Sequence, residues 1–194
     1  YMNGPEVSVE TISVDGICHV IQITDKLTTG APHYVEMGHS QPTRLGSDIA
    51  KRIEEVAKLA NKAIGIKNGP SHTEIIVTNE GPKIVEIGAR LGGDNITTHL
   101  VPLSTGVDMV DACIKISLGM KPDIDIQFNK GAAIRYFKQH EGRVKNVYGL
   151  EKVKEMAGVK QAEILCKPGE MIKNVVDSGS RIGFVISQGL NADV

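Results

Sequence analysis

Glu74, Glu86 and Arg90 are the residues whose types and spacing could do the most chemistry. They lie within Ser71-His-Thr-Glu-Ile-Ile-Val-Thr-Asn-Glu-Gly-Pro-Lys-Ile-Val-Glu-Ile-Gly-Ala-Arg-Leu-Gly-Gly-Asp-Asn95. Ile75-Ile76-Val77 and Ile84-Val85 are β-branched runs, and Asn79-Glu80-Gly81-Pro82 between them is turn chemistry, so the stretch predicts a hairpin. A turn centred near Glu80 sets Glu74 opposite Glu86. Alternation then gives one face to His72, Glu74, Ile76, Ile84, Glu86, Gly88 and Arg90, and a core face to Thr73, Ile75, Val77, Val85, Ile87 and Ala89. Two facing glutamates repel unless a positive charge sits between them. Carboxylate oxygens suit Mg²⁺ or Mn²⁺, and Mg²⁺ is usually held by one or two carboxylates plus substrate phosphates. Arg90 adds a planar, permanently charged donor for phosphate or carboxylate. Gly88 leaves room, and Gly92-Gly93 lets backbone approach a ligand. A solvated hairpin with charges on its wet face is the alternative that spacing leaves open.

The elements that must position this hairpin are legible on either side. Glu6 to Ile12 alternates, with Val7, Val9 and Thr11 on one face and Glu6, Ser8 and Glu10 on a polar face. Asp15-Gly16 is a turn, and Ile17 to Thr24 returns as a second strand. Thr24-Asp-Lys26 and Thr28-Thr-Gly30 read as a polar loop. Tyr34 to Pro42 reads as a short strand running into a loop. Ser47 to Ala63 carries a helical stripe of Ile49, Ile53, Val56, Ala60 and Ala63, with Ser47 as N-cap and Gly65 as stop. A second helix over Val107 to Leu118 turns Val107, Val110, Ile114 and Leu118 inward. Met120-Lys-Pro-Asp-Ile-Asp marks a boundary. Short strands follow at Ala132–Phe137, Arg143–Val147, Gln161–Cys166 and Arg181–Ser187, with a short helix from Leu150 to Met156. The expected fold class is α+β, an antiparallel sheet with covering helices over 1–122, then a small β-rich module over 123–194.

The 194 residues suffice for one large or two small domains, at 41% hydrophobic and 23% charged content. A net charge of −1 gives no basic surface for nucleic acid and no membrane-binding face. No apolar run approaches ~20 residues, so no spanning helix is expected. Cys18, Cys113 and Cys166 are scattered without metal or redox spacing, which fits a reducing cytoplasm. The chain opens directly into a strand and closes on Gly189-Leu-Asn-Ala-Asp-Val194, as an excised piece of a longer protein would.

Glu, Glu twelve residues on, Arg four after that and a following Gly-Gly resemble the metal and phosphate motif of the ATP-grasp superfamily. His72-Thr-Glu74 and Glu86-Ile-Gly-Ala-Arg90-Leu-Gly-Gly93 are most similar to its L-amino-acid ligase branch, with the same spacing in biotin carboxylase and carbamoyl-phosphate synthase. Gly4-Pro-Glu-Val-Ser-Val-Glu10 is similar to the strand after the adenine hinge. The resemblance implies that ATP phosphorylates a carboxylate and that an amine displaces phosphate from the acylphosphate. It implies Mg²⁺ (or Mn²⁺) on Glu74 and Glu86, catalytic roles for Arg90 and His72, adenine near Tyr1 and Met2, ribose on Glu6, and His39 near the phosphates. Expected partners are ATP, a small carboxylate and an amine acceptor, with a homodimer in the full-length protein. Asn commonly stands two residues after the second Glu as a third metal ligand. Here Gly88 does, which favours the amino-acid ligase branch and leaves one or two metals open. Asp94 is a candidate for acceptor choice or a helix cap, Thr97, Thr98 and His99 line the same end, and Arg135 either reaches back to substrate or covers a sheet edge. The chain by itself is expected to be inactive and its parent an enzyme. A non-catalytic nucleotide-binding module of the same fold is the rival reading, and a Mg²⁺-dependent hydrolase using Asp94 ranks last.

Overall fold

The computed structural model describes residues 2–192. Strand β1 (Glu6–Val14) turns through Asp15 and Gly16, both at positive φ (51° and 82°), into β2 (Ile17–Thr28). Positive φ at both central positions matches the strand twist of a two-residue hairpin, which is why Asp-Gly stands there. Then come β3 (Glu36–Gln41), helix α1 (Ser47–Ile64), β4 (Gly69–Thr78) and β5 (Gly81–Gly88). A π-turn (Ile96–Leu100) leads into α2 (Val101–Thr105) and α3 (Met109–Ser117). The last part holds β6 (Gly131–Tyr136), β7 (Gly142–Arg143), α4 (Leu150–Lys154), β8 (Val159–Ile164), β9 (Met171–Ile172) and β10 (Gly183–Gly189).

Eight strands form one antiparallel sheet in the order β5-β4-β1-β2-β3-β6-β10-β8, and β7 pairs with β9 separately. The expected antiparallel sheet with covering helices is what forms. The sheet runs on across the expected boundary at 122/123, because β6 pairs with β3.

Two apolar clusters cover the sheet. Val7, Val9, Ile23 and Ile75 meet Ile53 and Ala57 of α1. Ile12, Ile21, Ile134 and Ile186 meet Ile96, Leu100, Met109 and Ala112 on the opposite side. Side chains alternate along a strand, so Val7 and Val9 toward α1 send Glu6, Ser8, Glu10 and Ile12 the other way. That polar face is not wet: Ser8 and Glu10 are fully buried.

The structure differs from the sequence reading in several elements, and the strand expected over Arg143–Val147 shortens to Gly142–Arg143. Strand β2 continues to Thr28, so Asp25 and Lys26 are strand residues rather than a loop. Helix α1 is N-capped by Gly46, and its buried stripe is Ile53, Ala57, Ala60 and Asn61, leaving Ala63 exposed. Helix α3 begins at Asp108, whose carboxylate caps Val110 and Asp111 N–H, and this start sets its phase. Met109 and Ala112 then face inward while Val110, Ile114 and Leu118 are exposed. Finally, Val85 is exposed because the β4–β5 register shift leaves it unpaired, which also sets Ile84 opposite Ile75 rather than Ile76, and Ala89 is exposed beyond the end of β5.

Candidate functional site

The expected hairpin is present, with Glu74 and Glu86 as direct partners across β4 and β5. Its register extends inward as two polar rows. One runs Glu86, Glu74, Ser8, Thr24, and the other Gly88, His72, Glu10, Gln22. Lys26 lies two residues past Thr24 on the same face. Its Nζ donates to Glu6 Oε1 at 2.7 Å and Glu74 Oε1 at 2.8 Å, with Glu36 Oε1 at 3.6 Å. Burial disfavours the ammonium, but hydrogen bonds to Glu6 and Glu74 outweigh it and raise the Lys26 pKa.

His72 sits between two carboxylates, with Nδ1 2.8 Å from Glu10 Oε1 and Nε2 3.6 Å from Glu74 Oε1. Burial opposes its charge, yet Glu10 and Glu74 push its pKa up to about 9. The His72 imidazolium in turn holds the Glu74 carboxyl down at about 2 against its own burial, with Lys26 assisting. His72 is therefore a standing cation here rather than a base poised to take a proton at neutral pH.

This pair makes stability pH-dependent. A histidine whose folded pKa exceeds the unfolded 6.5 contributes its full stabilisation below pH 6.5 and loses it as pH rises through about 9. About 3 kcal/mol is expected to disappear across that window, from 1.36 kcal/mol per pKa unit. Urea midpoints from pH 6 to 9.5 check this: His72→Gln is expected to flatten the slope, and an unchanged slope would refute it.

Behind His72 the sheet is closed by glycine. A Cβ on Gly92 would stand 2.7 Å from both Glu10 Oε2 and His72 Nδ1. Glu10 Oε2 is itself buried with no hydrogen-bond partner among the described residues. Gly92→Ala is expected to push the Glu10–His72 pair apart and cost about 1–3 kcal/mol of stability, as overpacking does. A thermal melt and the His72 ring signals in NMR check it.

A second ionic group closes the far wall. Arg181, before β10, donates Nη1 and Nη2 to Asp94 Oδ2 and Oδ1 at 2.8 and 2.7 Å. It also donates to the Glu36 carbonyl and stacks over the Tyr136 ring at 3.7 Å. His39 Nε2 lies 3.2 Å from Asp94 Oδ2. Burial opposes ionisation of Asp94, but Arg181 and His39 hold it well below the usual carboxylate range. Asp94 is thus neither a helix cap nor a free base. Arg135 donates to the His39 carbonyl and to Ser40 Oγ at 2.8 and 2.7 Å. It braces β3 and covers no sheet edge, since β6 lies between β3 and β10.

A cavity of about 200 Å³ opens between these groups, lined by Lys26, Glu36, His39, His72, Glu74, Arg90, Asp94 and Ser178 among others. Five expected residues, His39, His72, Glu74, Arg90 and Asp94, therefore share it, and Glu6 joins through Lys26. Glu86 stands at the rim, exposed, 3.7 Å from the Arg90 guanidinium. Met2 lies elsewhere, in a cavity shared with Asn3, Asn79, Glu80 and Lys83. Tyr1, expected at the adenine hinge, is outside the described residues. Thr97 Oγ1 donates to the Gly92 carbonyl and steadies the loop, while Thr98 and His99 bond each other at the surface.

Among the described residues no group of three or more His, Cys, Asp or Glu is arranged to hold a metal by itself. Glu74 and Glu86 offer hard oxygen donors on neighbouring strands, which fits a cation that takes few protein ligands and completes its shell with phosphate and water. Sequence reasoning missed Lys26, Glu10, Glu36 and Arg181. Lys26 left a trace, since continuing the period of β2 by two residues past Thr24 carries the strand onto it, and Glu10 left one in the alternation that placed it on the polar face of β1.

The pattern of the ATP-grasp domain matches residues 1–98, and that of L-amino acid ligase C-terminal domain 2 matches residues 135–193. Alanine–anticapsin ligase of Bacillus subtilis (strain 168) is 33% identical over 111 residues, which is 57% of this chain and 23% of that protein. The crystal structure of an L-amino acid ligase from Bacillus licheniformis superposes with a TM-score of 0.85 at 26% identity, over 98% of this chain and 48% of that one. Phosphoribosylglycinamide synthetase from Anaerococcus prevotii shares the fold at a TM-score of 0.84 and 18% identity, over 100% of this chain and 50% of that one. The chain spans half or less of each of these proteins.

Proposed function

This chain belongs to the ATP-grasp family, and on that premise we propose that it carries the nucleotide and metal site of a cytoplasmic ligase. The ligase joins a small carboxylate to an amine through an acylphosphate, within the L-amino-acid ligase branch. The observation that carries the proposal is the row of Glu86, Glu74 and Ser8 across three strands, with His72 and Arg90 beside it. A family match over residues 135–193 supports the branch. Residues 1–122 serve as the ATP-grasp portion and 123–194 as the closing module.

Glu74 and Glu86 would hold Mg²⁺, which supplies charge neutralisation for a transferring phosphoryl group. His72 keeps its proton between Glu10 and Glu74 and presents a fixed positive charge to the cavity. Arg90, exposed at the rim with a long 3.7 Å pair to Glu86, would turn to take a carboxylate or phosphate in bidentate fashion. Glu6 accepts from ribose hydroxyls with the oxygen that Lys26 does not hold, and His39 borders the phosphates. Glu36 is the cavity carboxylate with the longest ion-pair distance, 3.6 Å to Lys26, and suits the ammonium of an amino acid. Catalysis in such a site is positioning plus preorganised charge.

Calorimetry with Mg²⁺ and a non-hydrolysable ATP analogue tests the proposal, on this chain and on any longer protein that contains it. Metal-dependent binding is expected, and is expected to be lost in Glu74→Gln with Glu86→Gln. Equal metal-dependent binding by the variant would overturn the carboxylate pair. Phosphate release dependent on an amino acid, measured on the longer protein, separates a ligase from a module that only binds nucleotide.

A further inference from the structure

We propose that Lys26 is the resident counter-ion of the carboxylate cluster, holding the space between Glu6 and Glu74 until a divalent cation displaces it. The inference rests on reading Glu74 as a metal ligand. Three carboxylates converge on this one ammonium, from Glu6, Glu74 and Glu36, and they come from three different strands. The Lys26 side chain is 4% exposed, a burial that lysine reaches only when paired. Its Nζ lies directly on Glu74 Oε1, the oxygen that also faces His72 Nε2. A divalent cation about 2.1 Å from that same oxygen would stand within a few ångströms of the ammonium that is 2.8 Å from it, where like charges repel in a partly buried site. The two therefore compete for Glu74.

Lysine is built to be the one that leaves. Its charge rides on a flexible four-carbon stem with three rotatable donors, so it can turn from Glu74 while keeping Glu6. Phosphates arriving with the cation offer the displaced ammonium a new counter-charge. The other buried charges named on this face are fixed in place, Glu10 on His72 and Asp94 on Arg181 and His39, while Arg90 and Glu86 stand exposed at the rim. Lys26 is therefore the buried charge that can move, and its effect on metal binding has a definite sign. A residue that merely supported the fold would weaken metal binding when removed, whereas a resident counter-ion strengthens it.

Binding of Mn²⁺ alone to this chain, read from the free-ion signal in electron paramagnetic resonance, tests the sign. Lys26→Met is expected to bind Mn²⁺ at least tenfold more tightly than the wild type, and Lys26→Arg to match the wild type. Adding Glu74→Gln to Lys26→Met is expected to abolish the gain. Equal or weaker binding by a folded Lys26→Met would overturn the counter-ion role. A gain that survives Glu74→Gln would place the cation elsewhere, and so would overturn the metal role of Glu74 as well. Should Lys26→Met fail to fold, the wild type decides. Mg²⁺ is expected to shift the Lys26 ammonium signal in heteronuclear NMR in a saturable way, and an unmoved signal at saturating Mg²⁺ would overturn the proposal.

Discussion

Asp94→Ala is expected to destabilise this chain by about 4 kcal/mol, read as a lower urea midpoint at unchanged slope. The larger part comes from Arg181. Its side chain is 8% exposed, and both terminal nitrogens donate to Asp94. Removing one partner of a buried ion pair costs roughly 3–5 kcal/mol, because the other charge stays buried without its counter-charge. Arg181 keeps the Ser178 and Glu36 carbonyls and the Tyr136 ring, and Asp94 is 23% exposed, which sets the ionic share near the bottom of that range, at about 3 kcal/mol. The rest is backbone. Asp94 has φ 50°, a left-handed conformation that costs about 1 kcal/mol for a residue without a short polar side chain. Asp94→Asn tolerates that conformation and keeps one acceptor for Arg181, so it is expected to lose about half as much. Adding Arg181→Met to Asp94→Ala removes the stranded charge and is expected to restore part of the loss. A loss under about 1 kcal/mol for Asp94→Ala would mean that water reaches Arg181 freely and that the pair does not lock the cavity wall.

Glu74→Gln is expected to lower ATP-dependent turnover in the longer protein by about 10²–10³-fold, the range seen when one preorganised charge group is removed from a reacting centre. The same substitution is expected to cost this chain only about 1–2 kcal/mol of stability. The difference follows from the pairing. Lys26 keeps Glu6 and His72 keeps Glu10 when the Glu74 charge is gone, so neither buried cation is stranded. A functional loss much larger than the structural one is what a group acting on a phosphate-bound cation should give. Initial rates of phosphate release and urea midpoints, taken on the same variant, check both halves. Turnover within tenfold of the wild type would remove Glu74 from the reacting centre.

Much of this site was legible as a one-dimensional pattern. The Glu74, Glu86 and Arg90 spacing, the alternation of Glu6, Ser8 and Glu10, and the Asp15-Gly16 turn are local facts. Each was enough to name a strand, a face or a turn. The sequence also determined that the sheet is antiparallel, since two-residue turns join β1 to β2 and β4 to β5.

The tertiary structure alone decided which charges meet, and the reason lies in two bulges. In the β1–β2 hairpin the register shifts between Glu10 and Thr11, which leaves Ile21 as an extra residue on β2. Without that bulge the Asp15-Gly16 turn would set Glu6 opposite Asp25 and turn Lys26 to the other face. A one-residue slip reverses every side chain beyond it. In the β4–β5 hairpin the shift between Glu74 and Ile75 leaves Val85 as the extra residue, and this brings Glu86 opposite Glu74 although the turn closes on Thr78 and Gly81. A bulge is set by how Ile21 packs beneath the helices and how an edge strand bends, not by any short motif. Arg181 lies 87 residues from Asp94, and no local pattern links them. Their meeting depends on β6 docking beside β3 and β10 beside β6, which is long-range sheet order. The sequence alone determined the chemistry on offer, and packing decided that Lys26, rather than open water, faces Glu74.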